Sequence, residues 1–422
     1  MKGITKLQAA VIAIIIIVAA AAGAYYYTSY QPTAGVFKIG AFFPFTGAYG
    51  TQAIEQKNAL LLAIEDINKE GGILGRRVEA IIYDDQLKVD QAILMVDKLV
   101  EQDKVDIIAG ALSASNALAV HKRCMELKKV YAITCLPAMD TFKKELMDKS
   151  GSFAIVGHGW NLGYIDAHFV VNNLKDVKKV FMIIPAYTFG YDCRDGFKYY
   201  IDKFAKDKVE IVGVVEAPVG AADFTPYLST AMKANPDLIY TAQAGHDLGN
   251  ILKQMHTMGI QRSGVKIINP WSWMTELTPL DPAATEGVYF TMWYYWNIPK
   301  DYPEYESVTA YAKRYQEKYG KPPDNFGGLT YVSIREIARG INLAKSTDPD
   351  AVRQALLSNP KFDTMKGPGE WRIDHQPIMK TYVYILVGKP ANERINEWDV
   401  CKPVAKYGGE EFLAPLELEG YK

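Results

Sequence analysis

At 422 residues the chain exceeds the length over which one hydrophobic core usually keeps growing, so two compact lobes are expected. Hydrophobic residues at 49% and charged residues at 23% describe an ordinary globular protein. Lys plus Arg (47) almost cancels Asp plus Glu (48), which leaves no field to steer polyanions and argues against nucleic-acid binding.

The first thirty residues differ in kind. Lys2 and Lys6 precede an uncharged run, "LQAAVIAIIIIVAAAAGA" at 7–24, with Tyr25, Tyr26 and Tyr27 at its far end. A positive flank, an apolar segment close to the roughly 20 residues that span a bilayer and an aromatic belt describe a transmembrane anchor over 7–27. The small-residue stretch "AAAAGA" equally suits a cleaved signal peptide, so residues 1–30 are expected to be one or the other. No Cys follows the run to carry a lipid. A short polar linker at 31–35 leads to the body of the protein, which is expected outside the cytoplasm.

From residue 36 strand-like and helix-like patterns alternate. Short apolar or β-branched runs bounded by Gly, Pro, Asn or Asp predict strands at 36–42, 78–83, 107–111, 130–133, 153–156, 180–184, 211–217, 237–242, 266–269 and 288–294. Helices are predicted between them at 52–70, 89–101, 116–127, 160–173, 190–204, 224–234 and 248–259. This is the α/β pattern of doubly wound parallel sheets with helices on both faces. After "GVYFTMWYYW" the rhythm breaks into three consecutive helical stretches, a turn "KGPGEWRIDHQ" and a last strand "TYVYILVGK". A chain that adds helices and a late strand after two lobes crosses between them more than once, which makes a hinge.

Signatures of catalysis and cofactor binding are missing: there is no G-x-x-x-x-G-K-[ST], no H-E-x-x-H and no G-x-S-x-G. "GHGWNLG" at 157–163 has one residue too many before its third Gly, and Trp160 stands where backbone would approach a pyrophosphate, so it reads as a strand-to-helix turn. The six His residues show no metal-ligand spacing. Cys124, Cys135, Cys193 and Cys401 lack a C-x-x-C pair; buried free thiols are expected at even odds with disulfide bonding, for which three pairings are open. No metal or cofactor is expected.

In open α/β sheets ligands bind at the C-terminal ends of the strands. Applied to every strand, that rule collects Phe45 and Tyr49 from "GAFFPFTGAYGTQ", Ser113 and Ser115 from "AGALSASNALAV", then Pro137 and Met139, His158 and Trp160, Tyr187 and Phe189, Gln243 and His246, Trp271 and Trp273. The set is rich in aromatics and lacks paired carboxylates, which favours binding over hydrolysis. The two serines and a helix start would suit a carboxylate, with Ser115 also able to serve as a plain N-cap. Trp293, Tyr294, Tyr295 and Trp296 read as core.

"KIGAFFPFTGAYGTQ", "AIEDINKEGGILGRRVEAIIYDDQLKVDQAI", "DIIAGALSASNALAV", "YTFGYDCRDGF" and "DFTPYLSTAMKANPDLIYTAQAGHDLGNILKQMHTMGI" resemble, in order and spacing, the branched-chain amino acid binding proteins of ABC transporters, which have the type I periplasmic-binding fold. The resemblance runs from about 36 to 390. It implies two lobes, here 36–156 plus 286–364 and 157–285 plus 365–422, joined by a three-segment hinge. It further implies a small-molecule ligand held between the lobes and handed to permease subunits with an ATPase behind them. A ligand-sensing receptor ectodomain of the same fold is the alternative. Carried over by position, Tyr49 matches the aromatic of the first loop, and Ser113 and Ser115 flank Ala114, where the family places a hydroxyl. Pro137 and Ala138 stand at the head-group positions, Ala244 replaces an aromatic, and Trp271 replaces the acid that pairs with a ligand ammonium. Asp247 and Glu276 are the anions that could stand in. The expected ligand-binding set is Tyr49, Ser113, Ser115, Pro137, Ala138, His158, Phe189, Ala244, His246 and Trp271. Loss of the acid disfavours a plain zwitterion, because a buried ammonium without a partner costs several kcal/mol. An aromatic or aliphatic carboxylate, or an amide, fits at least as well.

Overall fold

The computed structural model describes residues 35–47 and 49–422, so the expected leader or anchor at 1–30 lies outside the described residues. Among those described, no helix is long and apolar enough to cross a membrane.

Two sheets carry the chain. The first has the parallel order β2-β1-β3-β4-β5, from β1 (Phe37–Phe43), β2 (Val78–Asp84), β3 (Ile107–Gly110), β4 (Tyr131–Ile133) and β5 (Ser152–Ala154). Its middle strands are apolar and buried but for Lys38 of β1, as expected of strands covered on both faces. The second has the order β15-β14-β10-β9-β8-β6-β7. Its parallel part is β6 (Lys179–Pro185), β7 (Glu210–Ala217), β8 (Leu238–Thr241), β9 (Lys266–Asn269) and β10 (Tyr289–Met292). A small antiparallel sheet of β11 (Lys361–Thr364), β12 (Gly367–Trp371) and β13 (Pro377–Met379) precedes β14 (Val383–Gly388) and β15 (Cys401–Tyr407), which close the second sheet antiparallel.

The long helices are α1 (Gly50–Lys69), α2 (Val89–Glu101), α3 (Ala114–Glu126), α4 (Gly159–Asn173), α5 (Thr188–Tyr200), α6 (Thr225–Lys233), α7 (His246–Thr257), α8 (Tyr305–Tyr319), α9 (Asn325–Ala344) and α10 (Pro349–Ser358). The predicted strands and helices up to residue 292 all form, with ends shifted by a few residues. Gly163 has a packing role: a Cβ there would sit 1.9 Å from the Cys193 carbonyl oxygen, and one at Gly196 1.9 Å from that of Trp160, so α4 and α5 touch backbone to backbone.

The lobe boundaries need moving. β10 is hydrogen-bonded between β9 and β14 in the second sheet, so the chain returns to the first lobe after Met292 and not at 286. The stretch "KGPGEWRIDHQ" is no simple turn: it contains β12, whose Trp371 packs on Phe153 of β5 at 5.0 Å and donates to Glu336 of α9, so 365–379 stays with the first lobe. Three segments cross between lobes, after β5, after β10 and after β13. The buried Lys366 side chain donates to the main-chain oxygens of Trp293 and, at 2.7 Å, of Tyr382, while the Tyr382 hydroxyl accepts from Gly157 N–H. One lysine and one tyrosine thus tie all three crossings together. Trp293, Tyr294 and Tyr295 are buried there and Trp296 is half-buried. All four cysteines are free and buried.

Candidate functional site

The strand order reverses at β1 in the first sheet and at β6 in the second, and the loops that leave these strands face each other across the cleft. The first loop ends at Tyr49, the residue before α1. Asp84, at the end of β2, shapes that loop by accepting from Phe45 N–H at 3.0 Å and from the Thr46 hydroxyl at 2.8 Å. The Tyr49 phenol reaches the other lobe, donating to the Ala244 carbonyl at 3.4 Å and meeting the Trp273 ring edge-on at 6.1 Å. Gly245 permits this: its φ is +62°, and a Cβ there would stand 2.6 Å from the Tyr49 ring.

Further contacts hold the lobes closed. Asp324, the N-cap of α9, accepts from Met274 N–H at 3.0 Å and Thr275 N–H at 2.8 Å. Asn325 donates to the Ser272 carbonyl at 2.7 Å, and Asp192 of α5 accepts from Met139 N–H at 2.9 Å.

Between them lies a cavity of about 240 Å³. It brings together Tyr49, Ser113, Ser115, Phe189, Ala244 and Trp271, six of the ten residues expected from the sequence. The others lie elsewhere. Pro137 and Ala138 are buried but do not reach the cavity, where Leu136 stands instead. His246 is exposed and lines a different hollow. His158 is buried in the hinge with its Nε2 2.9 Å from the Glu419 carboxyl; burial holds the imidazole down at about 3, hence neutral, and pushes the Glu419 carboxyl up to about 10. A residue just past a strand end is thus a structural part of the joint.

At one end of the cavity the turn before α3 is pinned from α1, where Gln56 donates to the Ala111 carbonyl at 2.8 Å. Ser113, not Ser115, is the N-cap: its Oγ accepts from Asn116 N–H at 3.1 Å. Ala114 and Ser115, whose amides come one turn too early for an intrahelical acceptor, line the wall. The rest is flat and apolar: Trp271 meets Phe326 edge-on at 6.2 Å, and Trp273 stacks on Phe326 at 5.4 Å. Burial raises the Tyr49 and Tyr187 phenols, so both are neutral hydrogen-bonding groups. None of the described lining residues carries a charge. Asp247 is occupied by Gly220 N–H at 2.8 Å, and neither it nor Glu276 lines this cavity.

Sequence reasoning left out two residues that organise the site. Asn269, at the end of β9, donates to the Thr241 and Gln243 carbonyls at 2.6 and 2.8 Å and accepts from Trp271 N–H at 3.1 Å, fixing both loops of the second lobe. Phe326 comes from α9, which follows no strand; the cap-like Asp324 just before it was the available signal.

The sequence matches the periplasmic binding protein family over residues 36–390. An amino acid binding protein of Pseudomonas aeruginosa is 25% identical over 86% of this chain and 90% of its own. Among solved structures, a periplasmic binding protein of Burkholderia mallei superposes with a TM-score of 0.79 at 24% identity, over 91% of this chain and 98% of its own. A solute-binding protein of an ABC transporter from Rhodopseudomonas palustris BisB5 gives 0.74 at 21% identity, over 89% and 98%. The chain belongs to the periplasmic binding protein family, a family of extracytoplasmic ligand-binding proteins and not of enzymes.

Proposed function

We propose that the protein is the solute-binding component of an ABC importer whose ligand is a small organic acid with a flat apolar body, an aromatic carboxylic acid before a free amino acid. The observation that carries this is the lining of the cavity: aromatic rings and a helix start, with no described carboxylate to hold an ammonium. A carboxylate would lie against the start of α3, where the Ala114 and Ser115 amides and the helix dipole favour negative charge. Its ring would lie among Tyr49, Phe189, Trp271 and Trp273, and the indole N–H of Trp273, which has no partner among the described residues, would serve a ring substituent. The R. palustris protein was crystallised with 3,4-dihydroxybenzoic acid, which supports the ligand class.

Ligand binding would favour the closed arrangement, which permease subunits backed by an ATPase would recognise. Residues 1–30 would hold the protein at the outer face of the membrane or be removed as a signal. Calorimetric titration with benzoate, hydroxybenzoates, leucine and benzamide tests the reading. It expects the acids to bind and leucine not to; tight leucine binding, or a folded protein that binds none of them, overturns it. Deleting residues 1–30 is expected to give a soluble binder of undiminished affinity.

A further inference from the structure

After β15 the chain doubles back over the joint between the lobes. It leaves the second sheet at Gly408 and Gly409: a Cβ on Gly408 would stand 2.3 Å from the Met379 and Lys380 carbonyl oxygens, and Gly409, at φ +104°, donates to the Met379 carbonyl at 2.8 Å. The segment that follows is anchored first on the second lobe. The Phe412 ring packs against His168 of α4 and Tyr407 of β15, with centres 5.1 and 5.2 Å away, and the Asn161 side chain of α4 accepts from Ala414 N–H at 2.8 Å.

It then reaches the first lobe. Arg372, just past β12, donates to the Ala414 carbonyl at 2.9 Å. The turn at Leu416–Glu419 lies on the one at Met139–Phe142, and Tyr421 is buried with the Lys144 Nζ 5.6 Å from its ring centre. Glu419 is where the two anchorages meet. One of its carboxyl oxygens lies 2.9 Å from Nε2 of His158, the residue that opens α4 in the second lobe, and accepts from the Gln376 amide of the first lobe at 2.7 Å. Gln376 in turn accepts from Asn161 at 2.8 Å.

We propose that residues 413–422 are a strap across the hinge, whose docking on the first lobe favours the closed arrangement even without ligand and must be released for the lobes to open. The three crossing segments can absorb a rotation of the lobes in their own backbone dihedrals. The strap is built differently. Its two ends are held by buried, close-packed contacts, which are made or broken and do not stretch. The span between them has no slack, since Pro415 fixes its start and it is wound into a turn: Leu418 N–H donates to the Pro415 carbonyl at 3.0 Å and Tyr421 N–H to that of Leu416 at 3.0 Å. Both anchorages are satisfied together in the closed arrangement. Rotation of the first lobe away from α4 separates Gln376 and Lys144 from His158 and Asn161, so the turn must leave one side.

Small-angle X-ray scattering of the ligand-free protein tests this without knowledge of the ligand. The full chain is compared with a variant lacking residues 413–422, and circular dichroism and urea unfolding are recorded for both. The expected result is a shift to a larger radius of gyration in the variant, with the spectrum of a folded protein. An unchanged or smaller radius overturns the proposal, even where the variant is less stable, because the segment would then be only part of the packing of the joint. Should the shortened chain fold poorly, Tyr421→Ala removes the outermost anchor on the first lobe and leaves the bonds of Glu419 in place. It is expected to expand the ligand-free protein in the same direction, and no expansion overturns the strap.

Discussion

Tyr49 of the first lobe and Ala244 of the second are joined by a hydrogen bond of 3.4 Å from phenol to carbonyl, between residues 195 apart in the chain. The bond is long, so its net contribution lies at the lower end of the roughly 0.5–1.5 kcal/mol typical of such pairs. Tyr49→Phe is accordingly expected to lower ligand affinity only a few-fold. Gly245→Ala should do far more, because a Cβ there meets the Tyr49 ring at 2.6 Å and the backbone is left-handed. Titration calorimetry of the two variants checks the order; equal losses would mean that the ring contact does not control closure.

Trp271 is 3% exposed and lies edge-on to Phe326 at the cavity wall. Trp271→Ala is expected to weaken binding of an aromatic acid by about 1–3 kcal/mol through lost burial and ring contact, while the circular dichroism spectrum stays unchanged. Unaltered affinity would remove Trp271 from the site.

Asp192 links closure to pH. Burial, with Asp140 and Asp195 nearby, pushes its carboxyl up to about 7 against the Met139 N–H it accepts. An exposed Asp titrates near ~3.9, so between about pH 4 and pH 7 the closed form holds a proton that an exposed Asp192 would have lost. Proton uptake on closing means that this contribution is fully present at low pH and declines as pH rises through that window. Ligand affinity should fall from about pH 4 to about pH 7 and level off above it, and Asp192→Asn should flatten the profile. A profile identical in both proteins would show that another group sets it.

Lys366 offers a test of the hinge. Burial holds its ammonium well below the usual lysine range, Glu304 opposing, and its donors serve two main-chain carbonyls on different crossings while it lies 3.9 Å from the centre of the Trp293 ring. Lys366→Met keeps the volume but orphans both carbonyls, so a stability loss of about 1–3 kcal/mol is expected in urea unfolding. No change in the midpoint would show that water replaces the amine without cost.

The fold was legible because most strands up to residue 292 are short, largely apolar runs with Gly, Pro, Asn or Asp close to an end, and most helices between them repeat an apolar side. What stayed hidden is short or amphiphilic: β12 is a five-residue strand containing Gly367, Pro368 and Gly369, which punctuate like a turn, and β15 carries Pro403 beside a register shift in its pairing. In the site, the edge rule found the residues whose loops follow the strands directly, from Tyr49 to Trp271. It misplaced His158, because a strand end can also be the start of a crossing segment, where burial and the Glu419 carboxyl replace ligand and solvent. It could not reach Phe326, delivered by a helix some fifty residues after Trp271, nor Asn269, whose role is to hold backbone carbonyls and which looks from sequence like a strand terminator.

The burial of Cys124, Cys135, Cys193 and Cys401 has a practical side. Desolvation raises all four thiols above their ordinary range, which keeps them in the unreactive protonated form. A cysteine engineered at an exposed position on each lobe would therefore be labelled by maleimide dyes against a silent background. Energy transfer between such a pair would follow the opening and closing of individual molecules without first stripping the native thiols from the core.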